Sequence, residues 1–118
     1  MPRFVVLEHD SPGGRHWDFM LEAPAALATW ALQAAPNSPG AIAAERLADH
    51  RLAYLDYEGP ISDERGSVTR WDHGDYVEEH QTDRRRVVFL AGERLKGVAT
   101  LTQSPEDTNR WQFSFVPE

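Results

Sequence analysis

Apolar and polar residues follow one another along this chain in short runs of a few residues, and most runs end in a cluster of turn formers. Residues 3–9 (RFVVLEH) are β-branched or apolar with no helix start signal, which predicts a strand. Asp10, Ser11, Pro12, Gly13 and Gly14 are all turn residues. Residues 16–22 (HWDFMLE) alternate again, so the two runs predict a hairpin with a loop over about residues 10–15. Residues 27–32 (LATWAL) predict a short strand or edge segment, and residues 33–40, with two prolines and a glycine, a loop. Residues 41–49 (AIAAERLAD) are the best helix candidate, because Ala, Glu, Arg and Leu all favour a helix. Residues 52–57 (LAYLDY) alternate weakly before a turn at Glu58, Gly59 and Pro60. Residues 66–71 predict a strand, and Asp72, His73, Gly74 and Asp75 a tight turn. Residues 85–90, 98–102 and 111–116 predict three more strands. Seven or eight short strands at hairpin spacing, with one or two short helices, predict a mainly antiparallel β fold, a small β-barrel or sandwich.

Length and composition bound what such a fold can be. The 118 residues predict one domain spanning 1–118, large enough for its own core. There is no cysteine, which excludes thiol nucleophiles, thiolate zinc sites and iron–sulfur clusters and fits a reducing compartment. No apolar run reaches the roughly 20 residues of a membrane helix, and MPRFVVLEHD turns acidic too soon for a secretory signal. The expectation is a cytoplasmic protein with no membrane partner. The formal charge of −7 gives no general attraction to nucleic acid. The cations are eleven arginines and one lysine, Lys96.

The residues with chemistry to offer are His9, His16 and Asp18. The predicted hairpin sets His9 across from His16 at its mouth, and His16 and Asp18 share a strand face. Cross-strand Cβ atoms lie about 5 Å apart, so two imidazoles and a carboxylate converge on one point. Such a set suits divalent Mn, Fe or Zn and leaves positions open for water and substrate. Two surface histidines at a hairpin would need no metal, and spacing alone leaves both readings open. Trp17 and Phe19 face the other way, toward the core, where Trp30, Trp71 and Trp111 are also expected. His73 and His80 are expected at the surface. Arg84, Arg85 and Arg86 form a basic run beside Glu78, Glu79 and Asp83, which reads first as a solvated strand entrance.

The flanking residues narrow the choice. FVVLEHDSPGGRHWDFMLE resembles the opening of the 3′-phosphoesterase domain of bacterial DNA ligase D, in which Glu-His-Asp leads through a short loop to His-Tyr-Asp-Phe and Leu-Glu; here these are Glu8-His9-Asp10, His16-Trp17-Asp18-Phe19 and Leu21-Glu22. Asp49-His50-Arg51-Leu52-Ala53-Tyr54 with Asp56-Tyr57-Glu58-Gly59 resembles its second block. Residues 66–76, with Trp71-Asp72 and Gly74, resemble the next hairpin, and Gly92-Glu93-Arg94-Leu95-Lys96-Gly97 a late motif. The resemblance implies a small β-barrel that binds a divalent metal through His9, His16 and Asp18. The ion would be manganese in the first place, with zinc, cobalt or another as alternatives. It implies removal of 3′-phosphates or 3′-ribonucleotides from nucleic-acid ends, with His50 and Tyr54 at the phosphate. A chain that stands alone would serve end-joining proteins in trans.

The sequence also departs from that family. An arginine that reaches the phosphate is expected two residues after the metal aspartate, and Met20 stands there. Methionine offers neither charge nor a donor fork. The loop between His9 and His16 is one residue longer, and Leu7 and Ala48 replace a glutamine and an acidic residue. Arg15 and Arg51 are candidate phosphate-binding substitutes, although alternation points Arg15 away from His16 and Arg51 away from His50. Two other readings follow: a phosphatase for a small non-DNA phosphate ester, or a catalytically inactive metal-binding or interaction module of the same fold.

Overall fold

The computed structural model describes residues 1–62 and 64–118. Among these, nine β-strands and one turn of 3-10 helix follow in order: β1 (Arg3–Ser11), β2 (Gly14–Glu22), β3 (Leu27–Leu32), β4 (Ile42–His50), the 3-10 turn (Leu52–Leu55), β5 (Gly59–Pro60), β6 (Ser67–Gln81), β7 (Arg85–Gly92), β8 (Lys96–Gln103) and β9 (Arg110–Pro117). Every pairing is antiparallel. The order is β1-β2-β3-β4-β9-β8-β7-β6, and β6 pairs back onto β1 to close a ring of eight strands; β5 adds only a short ladder to β6. Closure gives every strand of the ring a partner on both sides, which removes the edge problem of an open sheet. The mainly antiparallel β class predicted from the sequence is the one observed. No helix among the described residues is long and apolar enough to cross a membrane.

Strand alternation sorts side chains to two cores. Phe4 and Val6 of β1, Phe19 and Leu21 of β2, Trp30 of β3, Leu90 of β7 and Phe113 of β9 fill the ring. Phe19 meets Phe113 edge-on at 5.2 Å, and Trp30 meets Trp111 at 5.6 Å. The other face of β1 and β2 carries Val5, Leu7 and Met20, which pack with Leu27, Leu55 and Val68 in a separate cluster. Leu52, Tyr54 and Ile61 cover it. The segment between β4 and β6 therefore roofs the outside of the β1–β2 hairpin. Being covered on both faces is why Phe4, Val5, Val6 and Leu7 are all fully buried and form a continuous apolar run rather than an alternating one.

The structure corrects four details of the sequence reading. Residues 41–49 are not a helix but most of β4, with Ile42 and Ala44 buried and Ala43 and Glu45 exposed. β4 pairs with both β3 and β9, and the ring could not close without it; that outweighs helix propensities of a few tenths of a kcal/mol per residue. The first hairpin has no loop over 10–15: the ladder runs through Asp10↔Arg15 and Ser11↔Gly14, leaving only Pro12 and Gly13 to turn. Residues 52–57 hold a 3-10 turn instead of an extended segment, with Leu55 buried in the outer cluster. Residues 72–75 do not turn, since β6 runs straight through them. Gly74 is there because a Cβ would lie 2.1 Å from the Ala91 carbonyl oxygen of the neighbouring strand. Asp72 is buried and accepts the N–H groups of Glu93 (2.8 Å), Arg94 (3.1 Å) and Leu95 (2.8 Å), which pins the turn between β7 and β8.

Candidate metal centre

His9 and His16 are direct cross-strand partners in the β1–β2 ladder, and their rings lie 4.6 Å apart. Asp18, two residues along β2, projects from the same outer face. One ligand atom from each of the three lies within 4.8 Å of the others. The aspartate is almost fully buried, while the imidazoles keep partial access to solvent.

The hydrogen-bond pattern decides which atoms are left to bind a ligand. His9 donates from Nε2 to the Arg65 backbone oxygen at 2.8 Å, which leaves Nδ1 as the nitrogen nearer Asp18, 3.6 Å from Oδ2. A second-sphere carbonyl of this kind fixes the tautomer and ring orientation of a ligating histidine. His16 Nε2 lies 2.9 Å from Asp18 Oδ1, yet that oxygen is buried and receives no hydrogen bond of good geometry. The pair is close enough to attract when the imidazole is charged, yet poorly aligned for a hydrogen bond. An orphaned carboxylate oxygen costs free energy in a buried site, and a cation shared with the two imidazoles would satisfy it. Two nitrogens and a carboxylate are also the donor set that suits a divalent ion of the manganese-to-zinc series. The residues present fit such an ion. The Asp18 carboxylate within hydrogen-bonding reach raises the His16 imidazole above its ordinary pKa, against burial; the charges of Asp18 and Glu45 add to the rise.

A pocket of about 70 Å³ opens beside these residues, lined by Leu7, His9, Asp18, Met20, His50, Tyr54, Ile61, Arg65 and Val68. His50 ends β4 and donates from Nδ1 to the Ala48 backbone oxygen at 2.9 Å, which leaves Nε2 uncommitted. Tyr54 stands in the 3-10 turn with its ring 5.8 Å from that of His50. His50 and Tyr54, two of the four phosphate-binding candidates read from the sequence, thus share one pocket with His9 and Asp18. Met20 is 1% exposed and belongs to the apolar floor.

The two candidate substitutes for the arginine lie elsewhere. Arg15 points to the opposite face, 3.8 Å from Glu8 and 3.5 Å from Asp10. Arg51 lines a neighbouring groove rather than this pocket. Arg86 pairs with Glu78 and lies over Trp30, and His73 faces Glu93. The pocket residue that sequence reasoning missed is Arg65. It belongs to no recognisable motif, and 56 positions separate it from His9. Gly66 brings it there: with φ +94° it docks on β1 so closely that a Cβ would lie 1.9 Å from the Asp10 carbonyl oxygen.

Comparison with known proteins bears on what this geometry serves. Residues 7–103 match the family model described as the DNA ligase D 3′-phosphoesterase domain. The chain is 34% identical over 119 residues to the multifunctional non-homologous end joining DNA repair protein LigD of Mycobacterium tuberculosis, covering 92% of this chain and 15% of that protein. The Mycobacterium bovis protein gives the same figures. The LigD protein of Pseudomonas aeruginosa is 32% identical over 105 residues, covering 80% of this chain and 12% of that protein. The chain thus spans about one-seventh of the length of these relatives.

Proposed function

The chain belongs to the DNA ligase D 3′-phosphoesterase domain family, and from that premise we propose that it hydrolyses phosphate esters at the 3′ ends of nucleic acids in end-joining repair. The substrate is a 3′-phosphate or a 3′-terminal ribonucleotide, and the reaction uses a divalent ion, manganese first among candidates. The observation that carries this reading is the convergence of His9, His16 and the unsatisfied buried oxygen of Asp18 at the mouth of a pocket that also holds His50 and Tyr54.

His9 Nδ1, His16 Nε2 and an Asp18 carboxylate oxygen would hold the ion. When bound it would neutralise charge on the phosphate and polarise the phosphorus centre. The protein residues do the rest. Hydrolysis forms a bond from a water oxygen to phosphorus and breaks the bond from phosphorus to the 3′ oxygen; the leaving oxygen takes a proton to become a hydroxyl, and the proton the water loses restores the donor. His50 would supply the leaving oxygen's proton. With Nδ1 tied to a carbonyl, Nε2 is the nitrogen left to pass the proton. Imidazoles as a class exchange protons near neutral pH, which suits them to this role. The Tyr54 hydroxyl donates to a second phosphate oxygen. The apolar floor of Leu7, Met20 and Val68 keeps the site poor in water, which strengthens each of these interactions.

The test is release of phosphate from a 3′-phosphorylated primer–template by metal-loaded protein, beside His9→Ala and His50→Ala. The expected result is turnover that disappears with His9→Ala, and falls roughly 100-fold or more with His50→Ala, in variants that keep the wild-type circular dichroism. Turnover that survives His9→Ala would assign the activity to a contaminant. Release from small phosphate esters alone would move the substrate class, and a folded, metal-loaded protein silent on both would be a binding module.

A further inference from the structure

The pocket at the metal centre does not end at Tyr54. A groove with a cavity volume of about 320 Å³ continues from it across the 3-10 turn and the segment after β5, and Tyr54, Ile61 and Arg65 line both. The groove adds Arg51, Tyr57 and Ser62. Two features set it apart from the rest of the surface. The chain carries 19 acidic residues against 12 basic ones, yet the groove's described lining has two arginines and no carboxylate. Its donors and aromatic face are also held in place. The Arg65 guanidinium donates from Nε to the Ser62 carbonyl oxygen at 2.9 Å and from Nη2 to the Ser62 hydroxyl at 3.1 Å, which leaves its other N–H groups for a ligand. Tyr57 donates its hydroxyl to the Pro60 carbonyl oxygen and packs edge-on against Tyr54 at 5.7 Å, and it remains 36% exposed.

We propose that this groove holds the nucleic-acid strand that leads to the 3′ end. Arg65, at the junction, binds the phosphate being hydrolysed and supplies the guanidinium that Met20 cannot. Arg51 binds the next phosphodiester upstream, and Tyr57 offers its ring to a base. Arginine forks matched to phosphate oxygens, together with a fixed aromatic ring, are the parts from which single-strand grooves are built. Arg65 comes to the site from the segment after β5 rather than from β2, so the charge is restored without rebuilding the β2 face. The inference rests on the proposed end-processing function and deepens it: the substrate must have at least one phosphodiester upstream of its 3′ end to be fully held.

The experiment compares a deoxynucleoside 3′-monophosphate with 3′-phosphorylated DNA oligonucleotides of two, four and ten nucleotides. Phosphate release with manganese is read alongside fluorescence-anisotropy binding of 5′-labelled oligonucleotides in EDTA, where turnover plays no part. In the wild type, KM should fall from the monophosphate to the four-nucleotide substrate and then level off. Arg65→Ala should lower kcat/KM roughly 10- to 100-fold at every length, the loss expected for a hydrogen-bonded contact to a charged group. Arg51→Ala should flatten the length series, and both changes should weaken binding in EDTA. Arg84→Ala, an exposed arginine outside the groove, is the charge control. A wild type whose KM and binding ignore length would overturn the proposal, as would Arg84→Ala weakening binding as much as Arg51→Ala. Failure to release phosphate from any substrate would instead sink the proposed function, and the binding series would still decide whether the groove holds a strand.

Discussion

At the scale of single residues, the most informative group is the Asp18 carboxylate, almost fully buried, with Oδ1 2.9 Å from His16 Nε2 but in poor hydrogen-bond geometry. A structural aspartate normally has its oxygens satisfied, as Asp72 does with three backbone N–H groups. The metal-binding role proposed for Asp18 predicts a thermal signature. A divalent ion at a hundredfold excess over its Kd should stabilise the folded chain by about 2.7 kcal/mol, on the order of a 10 °C rise in Tm for a domain of this size. Asp18→Asn should abolish that rise and, in EDTA, should still show one cooperative transition, because the amide fills the same space without the charge that an ion needs. Scanning calorimetry with and without manganese or zinc checks both, and equal metal-induced shifts in the two proteins would show that the ion binds elsewhere. His9, His16 and Asp18 were legible in the sequence because their convergence is local. A tight turn fixes the register, and a two-residue period fixes the face. Arg65 was not legible, because its place depends on a glycine docking against a strand more than fifty residues earlier in the chain.

At the scale of elements, two misreadings share one physical cause: local pattern was overruled by a neighbour. The Ala- and Glu-rich residues of β4 would favour a helix in isolation, but strands on both sides supply its hydrogen bonds. The Asp-His-Gly-Asp of β6 has the composition of a turn, yet each of its notable residues has a partner in another strand or turn. Gly74 allows the Ala91 backbone to approach, and Asp72 receives the turn between β7 and β8. Gly92 completes that arrangement, since a Cβ there would lie 2.4 Å from Asp72 Oδ2. Asp72→Ala should therefore destabilise the chain by about 3–5 kcal/mol, by stranding three donors around an empty site. Urea unfolding checks this, and a loss below about 1 kcal/mol would show that water replaces the carboxylate. The metal-induced Tm rise should persist in this variant as long as it folds, because Asp72 is no part of the pocket lining.

At the scale of the whole molecule, a formal charge of −7 opposes a polyanionic substrate at long range, while the groove beside the metal centre offers two arginines at short range. Under the proposed function, the balance of the two would set how the protein meets DNA. A surface that neutralised many phosphates would bind tightly and lose affinity steeply with salt. Two contacts on a single strand give a slope of log K against log salt of only about −1.4, from roughly 0.7 per phosphate. Affinity for a four-nucleotide 3′-phosphate should then fall about sevenfold between 50 and 200 mM salt, a modest change for a nucleic-acid site. Arg51→Ala should halve the slope, and lengthening the strand to twenty nucleotides should leave it unchanged, because the acidic body adds no further phosphate contacts. Anisotropy titrations across that salt range measure all three. A slope steeper than about −3, or one that grows with length, would mean that phosphates are held over a far wider surface than this groove. With the predicted shallow slope, recognition would rest on the chemistry of the strand end rather than on grip along the duplex, and under the proposed function an acidic domain would act on DNA ends without being retained by the DNA between them.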